Sequence, residues 1–193
     1  MRVARTRDPR TGPALLAAAG ELFYARGVGA VAVDDIAELS GLTKPTLYRH
    51  FRSKEDLVVA YLDDRHEQQD LDLQACIKRA PREHGPRAVI DWLCDWISRP
   101  AFNGCGFVRA YAELHDDPRV REKARRRKRV LVATIEEACR AAGAHRPTEL
   151  AGELALIVEG ATTMAFVSGD SAAVTRAARR LAQRAFDAEG LDK

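Results

Sequence analysis

The sequence predicts an all-α protein of about nine helices, and three observations support that fold class. Strand signals are almost absent, because no segment alternates apolar and polar residues between turn dipeptides over a useful length. Apolar residues recur instead at helical spacing along the whole chain. Alanine and leucine fill most apolar positions, and only 6% of the 193 residues are aromatic. This composition favours helix, because these residues lose little rotamer freedom there.

The first three predicted helices are short and closely spaced. The first ends near Gly27, since glycine commonly caps a helix C-terminus. The second stops at Gly41, and the third is anchored by Leu47 and Phe51. One face of the first helix is formed by Leu15, Ala19, Leu22 and Phe23.

The later helices follow from start signals and breakers. Ser53 and Asp56 form a start signal for a fourth helix, which we expect to run to about Lys78. A linker rich in helix breakers follows from Pro81 to Pro86. Asp117 precedes a proline and gives another start signal. The remaining helices are expected at 88–98, 107–114, 118–142, 147–167 and 171–188.

Net charge and cysteine spacing give no sign of nucleic-acid binding, a zinc site or a disulfide framework. The formal net charge of +3 is too small to indicate nucleic-acid binding by itself. The four cysteines lack a CxxC pair, so neither a zinc site nor a disulfide framework is expected. We expect buried, reduced thiols at Cys76, Cys94, Cys105 and Cys139, with Cys105 set apart by its two glycine neighbours.

Signals for catalysis, metal binding and membrane insertion are also missing from the sequence. We find no nucleophile–base pair, glycine-rich phosphate loop or metal-ligand cluster, so we expect no catalytic residue, metal or cofactor. His115 next to Asp116 and Asp117 is interpreted as a helix end followed by a capping acid. We expect no apolar run to be long enough to span a membrane. No apolar signal core follows the arginine-rich segment Met1–Arg10, which predicts a cytoplasmic protein. That segment is either an arm for DNA or a solvated tail.

The segment 32–51 has the pattern of a helix-turn-helix motif, in which the first helix braces the second against the DNA major groove. Ala37 is small enough for the helix crossing, Gly41 tolerates the positive φ of the turn, and Leu42 points inward. Thr43 can cap the second helix, and Pro45 falls in its first turn. Side chains able to reach phosphates or base edges remain on the outer surface at Lys44, Thr46, Tyr48, Arg49 and His50.

The run Thr43–Leu57, with Asp34–Ala37 before the turn and Glu21–Phe23 with Gly27 upstream, resembles the DNA-binding signature of TetR/AcrR-type transcriptional regulators. The resemblance covers roughly residues 9–69. It implies an all-α homodimer with a helix-turn-helix domain at 9–69 and a ligand-binding and dimerisation domain at 70–193. It also implies a double-stranded, palindromic DNA operator that a repressor leaves when a small-molecule effector binds.

The same resemblance implies roles for individual residues. Tyr48, His50 and Lys54 would hold phosphates, whereas Lys44, Thr46 and Arg49 are better placed for bases. The full predicted DNA-binding set is Lys44, Pro45, Thr46, Tyr48, Arg49, His50 and Lys54. The family often has threonine where this chain has Ala32, so the second helix lacks a side-chain cap, which typically contributes about 1 kcal/mol.

Aromatic residues cluster in the C-terminal half. Trp92 and Trp96 lie one helical turn apart on the same face. They predict either a ligand pocket, with Glu113 and His115 as polar groups, or ordinary core packing. Cys105 lies in a Gly-Cys-x-Phe pattern similar to one branch of the same family. The predicted pocket residues are Trp92, Trp96, Phe102, Cys105, Phe107 and Tyr111.

Two further features concern surfaces. The basic run from Arg119 to Arg129 distributes its charges around a helix, so we expect a solvated helix rather than a DNA-binding stripe. The last two helices, about 147–188, combine apolar residues on several sides with many glycines and alanines. This pattern favours a homodimer interface over burial within one chain.

Two alternatives to a repressor stay open. One is an activator with the same DNA-binding domain, and the other is a helical small-molecule-binding or catalytic protein.

Overall fold

A computed structural model describes residues 10–191. Over that range it contains nine α-helices and a short 3-10 helix, and no strand, which confirms the all-α fold class. The helices are α1 (Thr11–Arg26), α2 (Val33–Ser40), α3 (Lys44–His50), α4 (Lys54–Arg79), α5 (Gly85–Ile97), α6 (Gly106–Glu113), α7 (Pro118–Ala141), α8 (Pro147–Ser168) and α9 (Ser171–Glu189).

The largest difference from the predicted boundaries is at α5, which begins three residues earlier than expected. Pro86 lies in the first turn of this helix, where its missing N–H costs no intrahelical hydrogen bond. The predicted linker is therefore reduced to the 3-10 helix Arg82–His84 and its flanks. Of the predicted N-terminal arm, only Arg10 is among the described residues.

The helices form two compact units. Among the described residues, the N-terminal unit contains 10–65 together with Gly106–Ala124, and the C-terminal unit contains His66–Cys105 together with 125–191. Helices α4 and α7 thus contribute to both units, and α6 belongs to the N-terminal one. The predicted functional boundary at residue 70 stays a prediction, because the compact units do not divide the chain at one point.

Apolar residues of six helices, α1 to α4, α6 and the first part of α7, build the N-terminal unit. Leu15, Ile36, Leu47 and Leu57, from α1 to α4, are completely buried. Burial of each such side chain contributes about 1.5–3 kcal/mol. Helix α6 packs closely on α4 at Gly106, where an added Cβ would lie only 2.5 Å from the Tyr61 hydroxyl, so a larger residue would require the buried Tyr61 side chain to shift.

The C-terminal unit has its own apolar core. Leu93 and Ile135 are fully buried there, together with Leu154 of α8 and Phe186 of α9. Cys94 and Cys139 are buried as predicted, whereas Cys76 and Cys105 are only half-buried, so the expectation of four buried thiols is wrong for that pair. Burial raises the pKa of the Cys139 thiol to about 12.

Helix α8 corrects a second expectation. By length and composition it could cross a membrane, so the prediction that no such segment exists is wrong for this helix. Its residues Leu150, Leu154 and Val158 are nevertheless buried in the core of the C-terminal unit. A core helix passes the same test of length and composition.

Candidate nucleic-acid interface and effector cavity

The turn between α2 and α3 has the backbone of a helix-turn-helix motif. Gly41 adopts the left-handed conformation, with φ of 67° and ψ of 20°. Its N–H donates to the Glu38 carbonyl, and the N–H of Leu42 donates to the Ala37 carbonyl at 3.0 Å. No described atom lies within 4 Å of a Cβ added at Gly41, so the backbone angle rather than space requires glycine.

The start of α3 is capped as the sequence predicts. Thr43 Oγ1 accepts a hydrogen bond from the Thr46 N–H at 3.3 Å, and Pro45 lies in the first turn. Leu47 is completely buried and fixes the inner face of the helix. The outer face is thereby presented to solvent, with Tyr48 49% exposed.

The predicted DNA-binding residues fall into three environments. Pro45, Tyr48 and Arg49 are exposed, and Thr46 and Lys54 are half-buried. Lys44 is exposed, but its Nζ lies 2.7 Å from Asp34 Oδ2. The hydrogen bond with Asp34 raises the pKa of Lys44. DNA must therefore compete with Asp34 for this ammonium group.

His50 is the exception within the predicted set. Its imidazole packs towards α1, where a Cβ added at Gly12 would lie 3.3 Å from Nδ1. Its Nε2 atom is buried and has no hydrogen-bond partner among the described residues. The phosphate-holding role of His50 stays a prediction, and it requires the ring to turn outward from this position.

A neighbouring carboxylate supports the start of α2, although Ala32 has no side-chain cap. Ala32 has the extended conformation of an N-cap residue but provides no side-chain acceptor. The Asp35 carboxylate accepts a hydrogen bond from the Ala32 N–H at 2.9 Å. Asp34 and Asp35 also place negative charge at the positive end of the helix dipole.

The six predicted pocket residues are divided between the two units. Phe107, which is 1% exposed, and Tyr111, which is 38% exposed, belong to the N-terminal unit. Phe102 packs edge-on against Trp96, with ring centroids 5.3 Å apart, and stacked Trp92 and Trp96 have centroids 5.5 Å apart. Only Trp92, Trp96 and Cys105 of the predicted set line a common cavity.

That cavity has a volume of only about 20 Å³. Its lining includes polar residues that the sequence analysis did not select, namely Gln69, Arg127, Lys128, Glu159 and Thr162. A signal for Arg127 was present, because Val120, Ala124, Arg127 and Leu131 follow helical spacing on one side of α7 and all are buried. The many basic residues of the Arg119–Arg129 run make this buried spacing hard to recognise in the sequence.

The residues expected to provide polar groups for the pocket have other partners or lie at the surface. The Glu113 carboxylate accepts a hydrogen bond from the Gly29 N–H in the α1–α2 connection. Arg109, one turn earlier on α6, donates to the Tyr24 carbonyl at 2.6 Å. His115 is exposed next to Asp116. Helix α6 therefore holds the end of α1 and the following turn.

Most residues of the basic run on α7 are exposed or half-buried, as expected for a solvated helix, but Arg127 is only 4% exposed, which corrects that expectation for this residue. Arg119 pairs with Asp56 and Asp117, and Lys123 pairs with Asp63. The hydrogen bond from Arg119 lowers the pKa of Asp117, which also caps the helix by accepting from the Arg119 N–H. Exposed pairs of this kind contribute little to stability, about 0–1 kcal/mol each, so their main effect is to occupy the charges.

An exposed apolar face covers α8 and α9. Leu156 is 75% exposed, Met164 58%, Val167 76% and Leu181 51%. A groove of about 670 Å³ runs between the two helices, with Gly160 and Ala177 among its small lining residues. Such a large apolar area is unusual on a surface that stays in water.

Comparisons with known proteins match both halves of the chain. The family description "Bacterial regulatory proteins, tetR family" matches residues 15–61, and "Tetracyclin repressor-like, C-terminal domain" matches residues 86–181. The chain is 27% identical to a TetR-family transcriptional regulator from Streptomyces coelicolor of known structure. That alignment covers 93% of this chain and 95% of that one, with a TM-score of 0.86.

Two curated relatives match shorter stretches. The probable HTH-type transcriptional regulator ArpR of Pseudomonas putida is 31% identical over 125 residues, which are 58% of this chain and 60% of that protein. The HTH-type transcriptional activator FasR of Mycolicibacterium smegmatis is 50% identical over 60 residues, 31% of this chain and 26% of that protein. The chain thus matches less than two thirds of the length of either relative.

Proposed function

Because this chain belongs to the TetR family of bacterial regulatory proteins, we propose that it is a homodimeric repressor that a small-molecule effector releases from a palindromic operator. One observation carries the proposal: a capped α3 with a buried Leu47 presents Lys44, Tyr48 and Arg49 outward. Such a helix is suited to the DNA major groove. The action is non-enzymatic and takes place in the cytoplasm.

Contacts to DNA divide into positioning and reading. Tyr48 and Lys54 donate to phosphates and set the register, with His50 joining them if its ring turns outward. Arg49, Lys44 and Thr46 reach base edges, where an arginine can form a bidentate pair with guanine. Pro45 starts the helix close to the DNA without requiring a backbone donor.

Dimerisation through α8 and α9 completes the DNA-binding unit. The exposed apolar residues Leu156, Met164, Val167 and Leu181 support a second copy as the occupant of this face. Small residues such as Gly160 and Ala177 allow close helix approach in a four-helix arrangement. A two-fold axis there presents two copies of α3 to half-sites about 34–36 Å apart, one turn of DNA.

Release by an effector requires a connection along the chain. Cys105 lines the cavity in the C-terminal unit and directly precedes α6. Arg109 and Glu113 of α6 hold the end of α1 and the α1–α2 turn. An effector that binds better when the segment before α6 is displaced will shift the population towards a state with poorer operator affinity.

Activation of transcription is the second candidate, favoured by the relative that is named an activator. That match covers 26% of the activator's length, so it supports a similar DNA-binding region more than it supports activation over repression. A helical small-molecule-binding protein without regulatory DNA binding is the alternative from another class.

Fluorescence anisotropy of a labelled duplex from the region upstream of the protein's own gene tests the proposal. We expect specific binding whose log affinity falls linearly with log salt concentration, with a slope of about −0.9 per phosphate neutralised. Tyr48→Ala weakens binding for all operator variants alike, whereas Tyr111→Ala, a change of an exposed tyrosine outside α3, leaves it unaltered. Absence of sequence-dependent binding, or a slope near zero, contradicts the regulator proposal.

A further inference from the structure

The guanidinium of Arg127 occupies an unusual position within the C-terminal unit. The side chain is only 4% exposed, although it belongs to the basic run of α7. Its Nε donates to Gln69 Oε1 at 3.4 Å, whereas Nη1 is buried and has no hydrogen-bond partner among the described residues. Desolvation lowers the pKa of this arginine. A buried charge without a hydrogen-bonded anion is costly and therefore requires a reason.

A second unpaired donor lies on the same cavity. Gln69 Nε2 is buried without a partner among the described residues, and Gln69 and Arg127 both line the 20 Å³ space. Lys128, the other cation of the lining, is already occupied, because its Nζ lies 2.6 Å from both carboxylate oxygens of Glu159. It also approaches Cys105 Sγ at 3.7 Å.

The residues that line the cavity carry a positive excess. Its lining contains two cations, Arg127 and Lys128, and one carboxylate, Glu159. Asp70 also interacts electrostatically with Arg127 but does not line the cavity; its Oδ2 accepts a hydrogen bond from Gln74 at 2.8 Å, and its Oδ1 is buried without a hydrogen-bond partner among the described residues. The unsatisfied groups of the lining are thus N–H donors, and their complement is an acceptor with negative charge.

The remaining walls are apolar and partly flat. Trp92 and Trp96 present a stacked pair of indole rings, and Leu131 and Val158 complete the lining. A carboxylate matches the planar fork of a guanidinium, and an aromatic or aliphatic body matches the indole wall. We propose that Arg127, assisted by Gln69, binds the carboxylate of a small organic acid with an apolar body, and that this acid is the effector.

The cavity is too small to hold the proposed acid without a local rearrangement. A space of about 20 Å³ holds little more than one water molecule, so the apolar body of the acid must displace part of the lining. Trp96 and Cys105 are the half-buried candidates, and Cys105 is the residue before α6. The inference rests on the proposed function only for the release of DNA, since binding of the acid is measured without DNA.

Intrinsic tryptophan fluorescence provides a direct assay, because both tryptophans of the chain line this cavity. Benzoate, phenylacetate and octanoate are titrated against their neutral amides. We expect saturable changes with at least one acid and none with its amide. Arg127→Met should weaken acid binding at least about tenfold, because a hydrogen-bonded charge pair is lost. Arg125→Met, which removes an exposed arginine of the same helix, serves as the matched control and should not change binding.

Thermal denaturation distinguishes lost binding from lost folding. Arg127→Met removes a buried, incompletely paired charge and keeps the apolar stem, so its Tm should equal or exceed that of the parent. Arg127→Lys provides a second variant that retains the charge and loses the planar fork, and it should bind the acids more weakly than the parent. Equal acid affinity in the parent and Arg127→Met overturns the proposal, as does the absence of saturable binding for all three acids at millimolar concentration.

The outcomes with and without DNA are separable. Acid binding that depends on Arg127 in a protein that binds no specific DNA supports the cavity assignment and contradicts the proposed function. Specific DNA binding in a protein that binds none of the acids supports the proposed function and overturns the cavity assignment. If both hold, the bound acid should lower operator affinity in the parent and have less effect in Arg127→Met.

Discussion

The helix-turn-helix segment and the cavity of the C-terminal unit are both built from polar side chains on a helical framework, but their determinants are organised differently. The DNA-facing surface is formed within about 20 consecutive residues, Ala32–Phe51, with its turn, cap and anchor all encoded locally. The cavity is assembled from residues as distant as Gln69 and Thr162, on α4, α5, α7 and α8. Local chemistry can be identified in a sequence, whereas the cavity depends on which helix faces pack together.

Substitutions in the helix-turn-helix segment and in the C-terminal unit should have different effects. We expect substitution on the outer face of α3 to alter DNA binding and to leave the C-terminal core intact. We expect substitution on the exposed face of α8 or α9 to leave the local helix-turn-helix geometry intact and to change whether two copies of α3 are presented together.

The largest effect is expected from breaking the apolar face of the C-terminal unit. Leu156→Glu combined with Leu181→Glu should prevent dimerisation, because two charges replace leucines that are 75% and 51% exposed on this face. Operator affinity should fall towards the non-specific level, roughly a thousandfold or more. Light scattering coupled to gel filtration measures the mass, and anisotropy measures the affinity.

Leu71→Glu is the matched control for that double variant, since Leu71 is 60% exposed on α4, outside the α8–α9 face. It should remain dimeric and retain operator binding. A double variant that stays dimeric with full affinity would place the dimer interface elsewhere.

Arg49→Ala tests the local surface alone. Loss of an arginine that reads a base should cost about 1–3 kcal/mol, roughly 5- to 150-fold in affinity, and relax the base preference at one operator position. The variant should remain a dimer of unchanged Tm. Anisotropy against a set of single-base operator variants distinguishes this result from uniform weakening, which would assign Arg49 to a phosphate instead.

Asp34→Asn tests the competition for Lys44. With the 2.7 Å ion pair removed, the ammonium group is available to DNA, and operator affinity should rise by roughly two- to fivefold at low salt. The gain should shrink at high salt. Glu38→Gln removes an equal charge from the same helix and should have a smaller effect; an equal gain from both variants would show only a general charge effect.

Ala32→Ser should give the smallest change. A serine at this extended N-cap position adds the missing acceptor and should stabilise the protein by about 1 kcal/mol. In a chain of this size that corresponds to a rise in Tm of about 2–4 °C. Thermal denaturation measures it, with Ala30→Ser in the preceding turn as the control. No difference between the two variants would contradict a stabilising role for a side-chain acceptor at position 32.

Sequence patterns predicted the helices well because starts and stops are local events. Thr43, Ser53 and Asp117 cap the helices where expected, and Gly41 has the predicted positive φ. Pro86 falls in the predicted linker but lies in the first turn of α5, because proline is compatible with both a break and a first turn. The fold class required only these local signals.

The candidate cavity was predicted only in part. Trp92, Trp96 and Cys105 were selected and do share a lining, but Phe107 and Tyr111 follow Cys105 into the other unit. Arg127 was not predicted, because it is one of eight basic residues in its run and only its position on the buried side of α7 distinguishes it from the other seven. Which residues converge across four helices depends on tertiary packing, and no short pattern encodes it.

Selection of binding sites from a pool of random duplex DNA tests the central claim most directly. We expect enrichment of an inverted repeat whose half-sites have centres about one or a small number of helical turns apart, and a relaxed base preference at one position of each half-site in Arg49→Ala. Enrichment of no sequence, or of a single unrepeated site whose base preferences are unchanged in Arg49→Ala, would contradict a dimeric regulator that reads DNA through α3.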